Sequence, residues 1–304
     1  MSDSELEKAI STLEATGQFR VLRRAQLGNI AGGALVGNDR IAVIVDTETT
    51  GLDLQRDEII EIGMIAFSYD LAGQIGKVVG TFSALQEPSK RIPLAITKLT
   101  GISEEEVKGQ RIDKQALEAF LKPASLIVAH NAAFDRPMCE RLSGLFAEKP
   151  WACSATEIDW KNFGFEGTKL VYILNQFGKY HSGHRALDDC IALYNILQLP
   201  LASTGGSVFA QLLSCARKTR YRISVVSPYE LRGALKARGY RWHPGSPGRP
   251  RSWYIEIEEE NQRDEMNFLI QQARMPKKNI AVETVTALNR FKLSTLPIAK
   301  MNSV

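Results

Sequence analysis

The sequence predicts an α/β protein: a mixed five-stranded sheet with helices packed on it over residues 39–200, followed by a small α+β module at 207–274. Three observations carry this reading. The run Ile41-Ala42-Val43-Ile44-Val45 is continuously apolar and largely β-branched, as in a strand buried on both faces. Strand-like runs come first and are followed by strands alternating with helical patterns, the order of a mixed sheet with flanking helices. The composition then turns small and flexible between Pro200 and Gly206, and charge divides there: residues 201–304 hold 17 Lys and Arg against 8 Asp and Glu, whereas residues 1–200 are net acidic.

The elements follow in order. Leu6, Ala9, Ile10 and Leu13 recur at helical spacing, and an apolar and basic stretch from Phe19 to Leu27 predicts a second short helix. Gly28 to Gly37 reads as a linker that closes an N-terminal extension, residues 1–38; it lacks the Gly-Lys-Ser/Thr ending of a phosphate loop. After the strand 41–45 come runs at Ile59 to Tyr69 and Val78 to Leu85, joined by the turn Asp70-Leu71-Ala72-Gly73 and expected to be antiparallel. Helices are expected at 93–99, 113–121, Asp135 to Ala147, near 168–177 and at 185–197, with short strands at Leu126 to Ala129 and Trp151 to Cys153. The rear module should contain helices at 207–217, 228–238 and 262–273, with strands at 222–226 and 253–257. Residues 275–304 read as a basic tail with weak periodicity, partly disordered.

Composition bounds the function. At 304 residues, 44% hydrophobic and 24% charged, the chain has ample apolar material for a core, which excludes collagen-like, disordered and coiled-coil classes. No apolar run approaches the roughly 18–20 residues of a membrane span. The acidic start Met1-Ser2-Asp3-Ser4-Glu5 lacks the features of a signal peptide, so a cytoplasmic location is expected. Cys139, Cys153, Cys190 and Cys215 are scattered and read as buried thiols.

Carboxylates carry the chemical signal. Asp46 and Glu48 leave the first strand on one face, about 7 Å apart along the backbone, and such a pair repels itself unless a cation lies between. Taken alone, the pair equally suits a solvated turn. A third acid, Asp135, starts a helix after the buried strand 126–129, and His184 and Asp189 lie five positions apart near the start of another helix.

In order and spacing, Asp46-x-Glu48, Asp135 and His184-x4-Asp189, with the strings DTETTGL, HNAAFD and GHRALDD, resemble the DEDDh 3′–5′ exonucleases over residues 40–198. That family includes the proofreading epsilon subunit of bacterial DNA polymerase III. The resemblance implies a ribonuclease H-like fold and two divalent cations, Mg²⁺ or Mn²⁺, held by Asp46, Glu48, Asp135 and Asp189. It also implies that His184 is the general base. Asp188 rivals Asp189 for the fourth acid, and the family's His-x4-Asp spacing selects Asp189. Thr49, Gly51 and Leu52 correspond to the turn that holds the terminal nucleotide, and Asn131 and Phe134 to residues near the scissile end; turn formation and core packing account for these equally well. The implied activity is hydrolysis of DNA from the 3′ end to nucleoside 5′-monophosphates, in proofreading or repair. The same strings suit an exoribonuclease acting on RNA ends, because nothing in them reads a 2′-hydroxyl. A nucleic-acid-binding protein that kept the fold without the activity is a third reading, at odds with five competent catalytic positions.

The rear half supplies cations, among them Arg217, Lys218, Arg220, Arg241, Arg249 and Arg251, interleaved with Tyr221, Tyr229, Tyr240 and Trp242. Cations that follow phosphates and aromatics that stack on bases suit single-stranded DNA or a DNA 3′ end, although a small module also needs aromatics for its own core. Gln198-Leu199-Pro200-Leu201 is expected to be a helix end packing its leucines; it also loosely matches a sliding-clamp peptide, which makes a clamp or polymerase a further candidate partner. His130 is expected to be structural and His243 to lie on the surface.

Overall fold

The computed structural model describes residues 2–28, 39–201, 205–245 and 250–292. The chain begins with helix α1 (Asp3–Ala15), capped by Ser2 and Glu5 in a reciprocal pair of hydrogen bonds. The second helix expected at 19–27 is instead extended. Arg23–Arg24 (β1) runs parallel to Lys179–Tyr180, with the Arg23 N–H donating to the Gly178 carbonyl and the Ala25 N–H to Tyr180. This pairing satisfies backbone groups that a free edge would leave to water.

The front sheet is built around β2 (Arg40–Thr49). It pairs antiparallel with β3 (Ile59–Tyr69), which pairs antiparallel with β4 (Ile75–Leu85). After helices α2 (Leu94–Thr100), α3 (Glu104–Val107) and α4 (Lys114–Leu121), strand β5 (Ala124–Ala129) lies parallel to β2 on its other side. Helices α5 (Ala132–Leu142) and α6 (Leu145–Glu148) then lead to β6 (Trp151–Cys153), parallel to β5. The order β4-β3-β2-β5-β6 is a mixed five-stranded sheet with helices on both faces, the architecture the sequence implies. Alternation explains the continuous apolar run of β2. Ala42 and Ile44 enter one core with Phe67, Tyr69 and Val128, while Ile41, Val43 and Val45 enter the other with Met64, Ile127 and Trp151.

Two elements differ from expectation because tertiary contacts extend or break them. Strand β2 runs past Val45 through Asp46, Thr47 and Glu48, because β3 continues opposite them as Gly63, Ile62 and Glu61. The single helix expected at 135–147 starts three residues earlier and is broken at Ser143, whose extended backbone ends α5 and whose hydroxyl accepts from the Leu145 N–H.

Helix α7 (Ser154–Glu157) follows β6, then α8 (Leu170–Gln176), β7 (Lys179–Tyr180) and α9 (Ala186–Leu197). A small hairpin of β8 (Pro200–Leu201) and β9 (Gly206–Ser207) opens α10 (Val208–Arg217). The sequence groups this last helix with the rear module, but its apolar face is spent on the front core. Val208, Leu212 and Leu213 are buried there, and Phe209 meets Phe67 and Tyr69 edge to face at 5.1 and 5.0 Å.

The rear sheet contains β10 (Arg220–Val225), followed by a 3₁₀ turn at Tyr229–Leu231, α11 (Arg232–Ala237), β11 (Arg241–His243) and β12 (Ser252–Glu258). Helix α12 (Gln262–Asn267), continued as a π turn at Phe268–Gln272, precedes β13 (Ile280–Val285). The four strands are antiparallel in the order β11-β12-β10-β13, over a core of Ile223, Val225, Leu235, Trp253 and Leu269. The residues expected to begin a loose tail thus include an edge strand paired with β10 along all its six residues.

Beyond β13, Thr286 to Arg290 folds back onto the front unit. The guanidinium of Arg136, fully buried on α5, donates to the backbone carbonyls of Leu288 at 2.7 Å, Arg290 at 2.7 Å and Ala287 at 3.2 Å, and to Glu140 at 2.7 Å. The Trp151 N–H also donates to the Ala287 carbonyl, at 2.8 Å. Arg290 is buried in turn against Glu157, and it donates to the Lys218 carbonyl at 2.9 Å. Among the described residues, no helix is long and apolar enough to cross a membrane.

Candidate active site

The site lies where β2 leaves the sheet centre. Asp46 and Glu48 project from one face of β2, and Asp189 from the first turn of α9 comes to meet them. One carboxylate oxygen from each lies within 4.8 Å of the others. Asp188, the rival acid, points elsewhere, 3.9 Å from Arg24. Asp135 is 3% exposed in the first turn of α5 and accepts from the Thr47 hydroxyl at 2.9 Å, which fixes its carboxylate. It stands outside the three-oxygen cluster.

Such crowding has an electrostatic consequence. Burial first, and then the charges of Asp135, Asp189, Glu48 and Glu61, hold the Asp46 carboxyl well above the usual carboxylate range. Burial also raises Glu48 to about 8, with Asp189 and Glu61 adding and Arg185 opposing. Burial raises Asp135 to about 7 despite the hydrogen bonds from Thr47. Half-buried acids beside the buried Asp135, opposing one another's ionisation and all offering oxygen, suit a hard divalent cation. The residues present therefore fit the metal that the sequence implies.

Neighbouring residues set the position of α9. Glu61, 3% exposed on β3, accepts from the Arg185 guanidinium at 2.9 Å and from the Ala186 N–H at 2.9 Å, so it caps the helix that carries Asp189. Beneath the same turn, Gly63 leaves room that no side chain could share: a Cβ there would lie 2.4 Å from both the Ala186 carbonyl carbon and the Leu187 nitrogen. Restoring ordinary contact would push α9 back by about 1 Å, a displacement that can cost about 10²-fold in rate. Gly63→Ala is accordingly expected to lower turnover about 10²-fold, with the melting temperature falling as well. Steady-state turnover beside a thermal melt checks this, and wild-type turnover would show that α9 is not fixed by this contact.

The histidines divide. His184 is exposed at the mouth of α9 with a left-handed backbone, φ 58°, following Gly183 at φ 67°. The contact with Asp189 is made by His181, whose Nε2 lies 2.8 Å from the Asp189 carboxylate. His130 is held between the Ser154 hydroxyl at 2.8 Å and the Thr168 carbonyl at 2.6 Å, a structural place. His243, expected on the surface, is 3% exposed and accepts from the Gly245 N–H.

Thr49 donates to the Gly51 carbonyl at 2.6 Å, and Gly51 packs so closely on Asp57 that a Cβ would lie 2.5 Å from its carboxylate. Leu52, 49% exposed, stands at the outside of this turn. The Asn131 carbonyl accepts from the Phe134 and Asp135 N–H groups and starts α5, and Phe134 is half-buried against the core. Several rear cations are committed internally. Arg217 donates to the Leu71 carbonyl, Lys218 pairs with Glu258 at 2.8 Å, and Arg220 lies 4.0 Å from Glu157. Arg241, Trp242 and Arg251 are exposed, and Arg249 lies outside the described residues. Leu199 and Leu201 pack into the front core, so the clamp-like segment is not presented as an extended exposed peptide. All four cysteines are buried and free.

A central strand that delivers paired carboxylates to a third on a facing helix is the arrangement of a ribonuclease H-like α/β protein with a candidate divalent-cation site. Comparison with known proteins narrows this. Residues 43–197, half of the chain, match the exonuclease family model, RNase_T, and the chain belongs to that family. It is 34% identical over 157 residues to the PolC-type DNA polymerase III of Thermotoga petrophila, covering 48% of this chain and 11% of that protein. It is 29% identical over 164 residues to the DNA polymerase III subunit epsilon of Treponema pallidum, covering 50% of this chain and 74% of that one. The 3′-5′ exonuclease DinG of Bacillus subtilis is 29% identical over 192 residues, with 60% and 19% covered. The chain thus spans about a tenth of the length of its PolC-type relatives. Among solved structures, exonuclease X in complex with 5′ overhanging duplex DNA aligns with a TM-score of 0.40 at 22% identity, covering 57% of this chain and 98% of that one. The nuclease domain of 3′hExo, a DEDDh family member bound to rAMP, aligns with a TM-score of 0.40 at 21% identity, covering 52% and 90%.

Proposed function

We propose that the chain is a metal-dependent 3′–5′ exonuclease that hydrolyses DNA from its 3′ end and releases nucleoside 5′-monophosphates. The observation that carries this reading is the convergence of Asp46, Glu48 and Asp189 within 4.8 Å, in a chain of the exonuclease family. These three acids and Asp135 would hold two divalent cations, Mg²⁺ or Mn²⁺. The chemistry such a pair supplies is activation of a water and neutralisation of charge on the attacking and leaving oxygens.

The chain's own residues do the rest. Thr47 holds the Asp135 carboxylate, and Glu61 with Arg185 fixes the turn that presents Asp189. Thr49, Gly51 and Leu52, at the turn after β2, and Asn131 and Phe134, at the start of α5, bind the terminal nucleotide. His184 takes the proton of the attacking water as the new P–O bond forms and the bond to the 3′-oxygen breaks. Histidine is the side chain that most often serves as a general base. His184 is exposed, with a left-handed backbone at φ 58°, so this role requires its ring to turn toward the bound substrate. His181 is a positioning residue that orients Asp189.

The test is nucleotide release from 5′-labelled single-stranded DNA, matched RNA, and duplexes with paired or mismatched 3′ ends, with Mg²⁺ or Mn²⁺ and an EDTA control. A ladder that shortens from the 3′ end on DNA, absent with EDTA, is expected, with His184→Ala about 10²–10⁴-fold slower. Preference for RNA would replace DNA as the substrate, and no shortening of any strand would overturn the reading. Should His181→Ala lose more than His184→Ala, the base would be His181.

A further inference from the structure

The helix-bearing face of the rear sheet turns a stripe of aromatic and cationic side chains outward. Register decides its membership: Trp242 of β11 stands opposite Trp253 of β12, so the two indoles share a face and meet at 5.4 Å between ring centres. Trp253 is core at 9% exposure, whereas Trp242 keeps 46%. The Lys236 ammonium, on α11, lies 5.9 Å from the Trp253 ring. One helical turn earlier is Arg232, whose guanidinium lies 3.8 Å over the ring of Tyr229, itself 70% exposed. Residues 229, 232 and 236 recur at three- and four-residue spacing, so they share one side of the turn and helix. Tyr229, Arg232 and Lys236 therefore lie along one side of the turn and helix, and Lys236 and Trp242 both approach Trp253.

The needs of the core do not explain this grouping. Leu235 and Trp253 already fill the core beneath it, while Tyr229 and Trp242 leave large rings in water. Among the described residues Glu230 is the acid beside this stripe in sequence, and neither Arg232 nor Lys236 forms an ion pair. Arg217, Lys218 and Arg220, by contrast, are occupied in joining the rear sheet to the front unit or to its own edge. Rings that can stack on bases, alternating with cations that can meet phosphates, are the two components of a sequence-tolerant single-strand site.

We propose that Tyr229, Arg232, Lys236 and Trp242 form a platform for single-stranded DNA, with bases stacking on the two rings and the backbone following the two cations. The choice of DNA rests on the exonuclease reading; the presence of a single-strand platform does not. Binding of a fluorescein-labelled 20-nucleotide oligo(dT) to the full chain in EDTA, read by fluorescence anisotropy, tests it. Trp242→Ala and Tyr229→Ala are each expected to weaken binding about 5- to 100-fold, and Trp242→Phe to retain most of the affinity. Arg232→Gln with Lys236→Gln should flatten the salt dependence by about 1.4 in log–log slope. Hydrolysis of the p-nitrophenyl ester of thymidine 5′-monophosphate, too small to reach the platform, should be unchanged in all four variants and so reports an intact fold and centre. Wild-type oligo(dT) affinity in both alanine variants would overturn the platform, as would equal losses on blunt duplex. Tighter binding of oligo(U) than of oligo(dT) would overturn the assignment to DNA. Failure of the wild type to hydrolyse the ester would count against the exonuclease reading alone, since binding is measured independently of it.

Discussion

Asp46→Asn is expected to abolish nucleotide release, by at least about 10³-fold, and at the same time to raise the melting temperature of the metal-free protein. The loss corresponds to the several kcal/mol of charge stabilisation that a bound cation would contribute, for which Asp46 would be a ligand. The gain has the same origin. Burial and four neighbouring acids raise the Asp46 carboxyl far above its unfolded range. The native chain therefore holds a proton that the unfolded chain releases, and stability falls as pH rises from the unfolded pKa towards the folded one. Asparagine keeps the shape and carries no charge, so its advantage in EDTA should be larger at pH 8 than at pH 5. Melting curves at the two pH values, with and without Mn²⁺, check this. A variant that melts lower than wild type at both values, or that keeps its activity, would mean that the cluster is not a strained, metal-requiring centre.

The second large effect concerns the contact between the rear segment and the front unit. Arg290→Met should cost about 3 kcal/mol, because it removes the direct partner of a buried charge, leaving Glu157 with only the more distant Arg220. Glu157 is 1% exposed at its side chain, with Arg220 4.0 Å away, and burial raises its pKa while Arg290 opposes that rise. Its second oxygen accepts from the Cys153 N–H at 2.8 Å. Adding Glu157→Gln to Arg290→Met should recover part of the loss, since the amide oxygen can still serve Cys153 without a charge. A urea-denaturation double-mutant cycle reads the coupling, which should exceed about 1 kcal/mol. Strictly additive losses would show that the two side chains do not act as a pair.

What the sequence made legible, and what it hid, follows from the range of the interactions. Strand β2 announces itself because burial on both faces demands an unbroken apolar run, and Asp46 and Glu48 are conspicuous because they interrupt its end. The helix period brings Asp189 to the same end of the sheet. Glu61 carries a signal of its own: a lone acid within Ile59-Ile60-Glu61-Ile62 is costly unless a partner such as Arg185 meets it. His181 was visible as a neighbour of His184, yet only the left-handed turn at Gly183 and His184 decides which ring reaches Asp189. Helix α10 was readable as a helix but not as part of the front core, because an amphipathic pattern names a buried face without naming what covers it. Strand β13 is hidden in the sequence for a related reason. Its middle residues are exposed, so periodicity is weak, and its partner β10 begins sixty residues earlier.

Arg136 is the covalent neighbour of Asp135, and its guanidinium is saturated by carbonyls from residues 287, 288 and 290. During synthesis those carbonyls leave the ribosome some 150 residues after the helix they hold. Until then Arg136 has its Glu140 partner on the same helix but none of the carbonyls of residues 287, 288 and 290, and the helix bearing Asp135 is held less firmly. The contacts that pin this helix therefore come from the last part of the chain to be made, and a chain ended before residue 287 is expected to hold the Asp135 helix less rigidly.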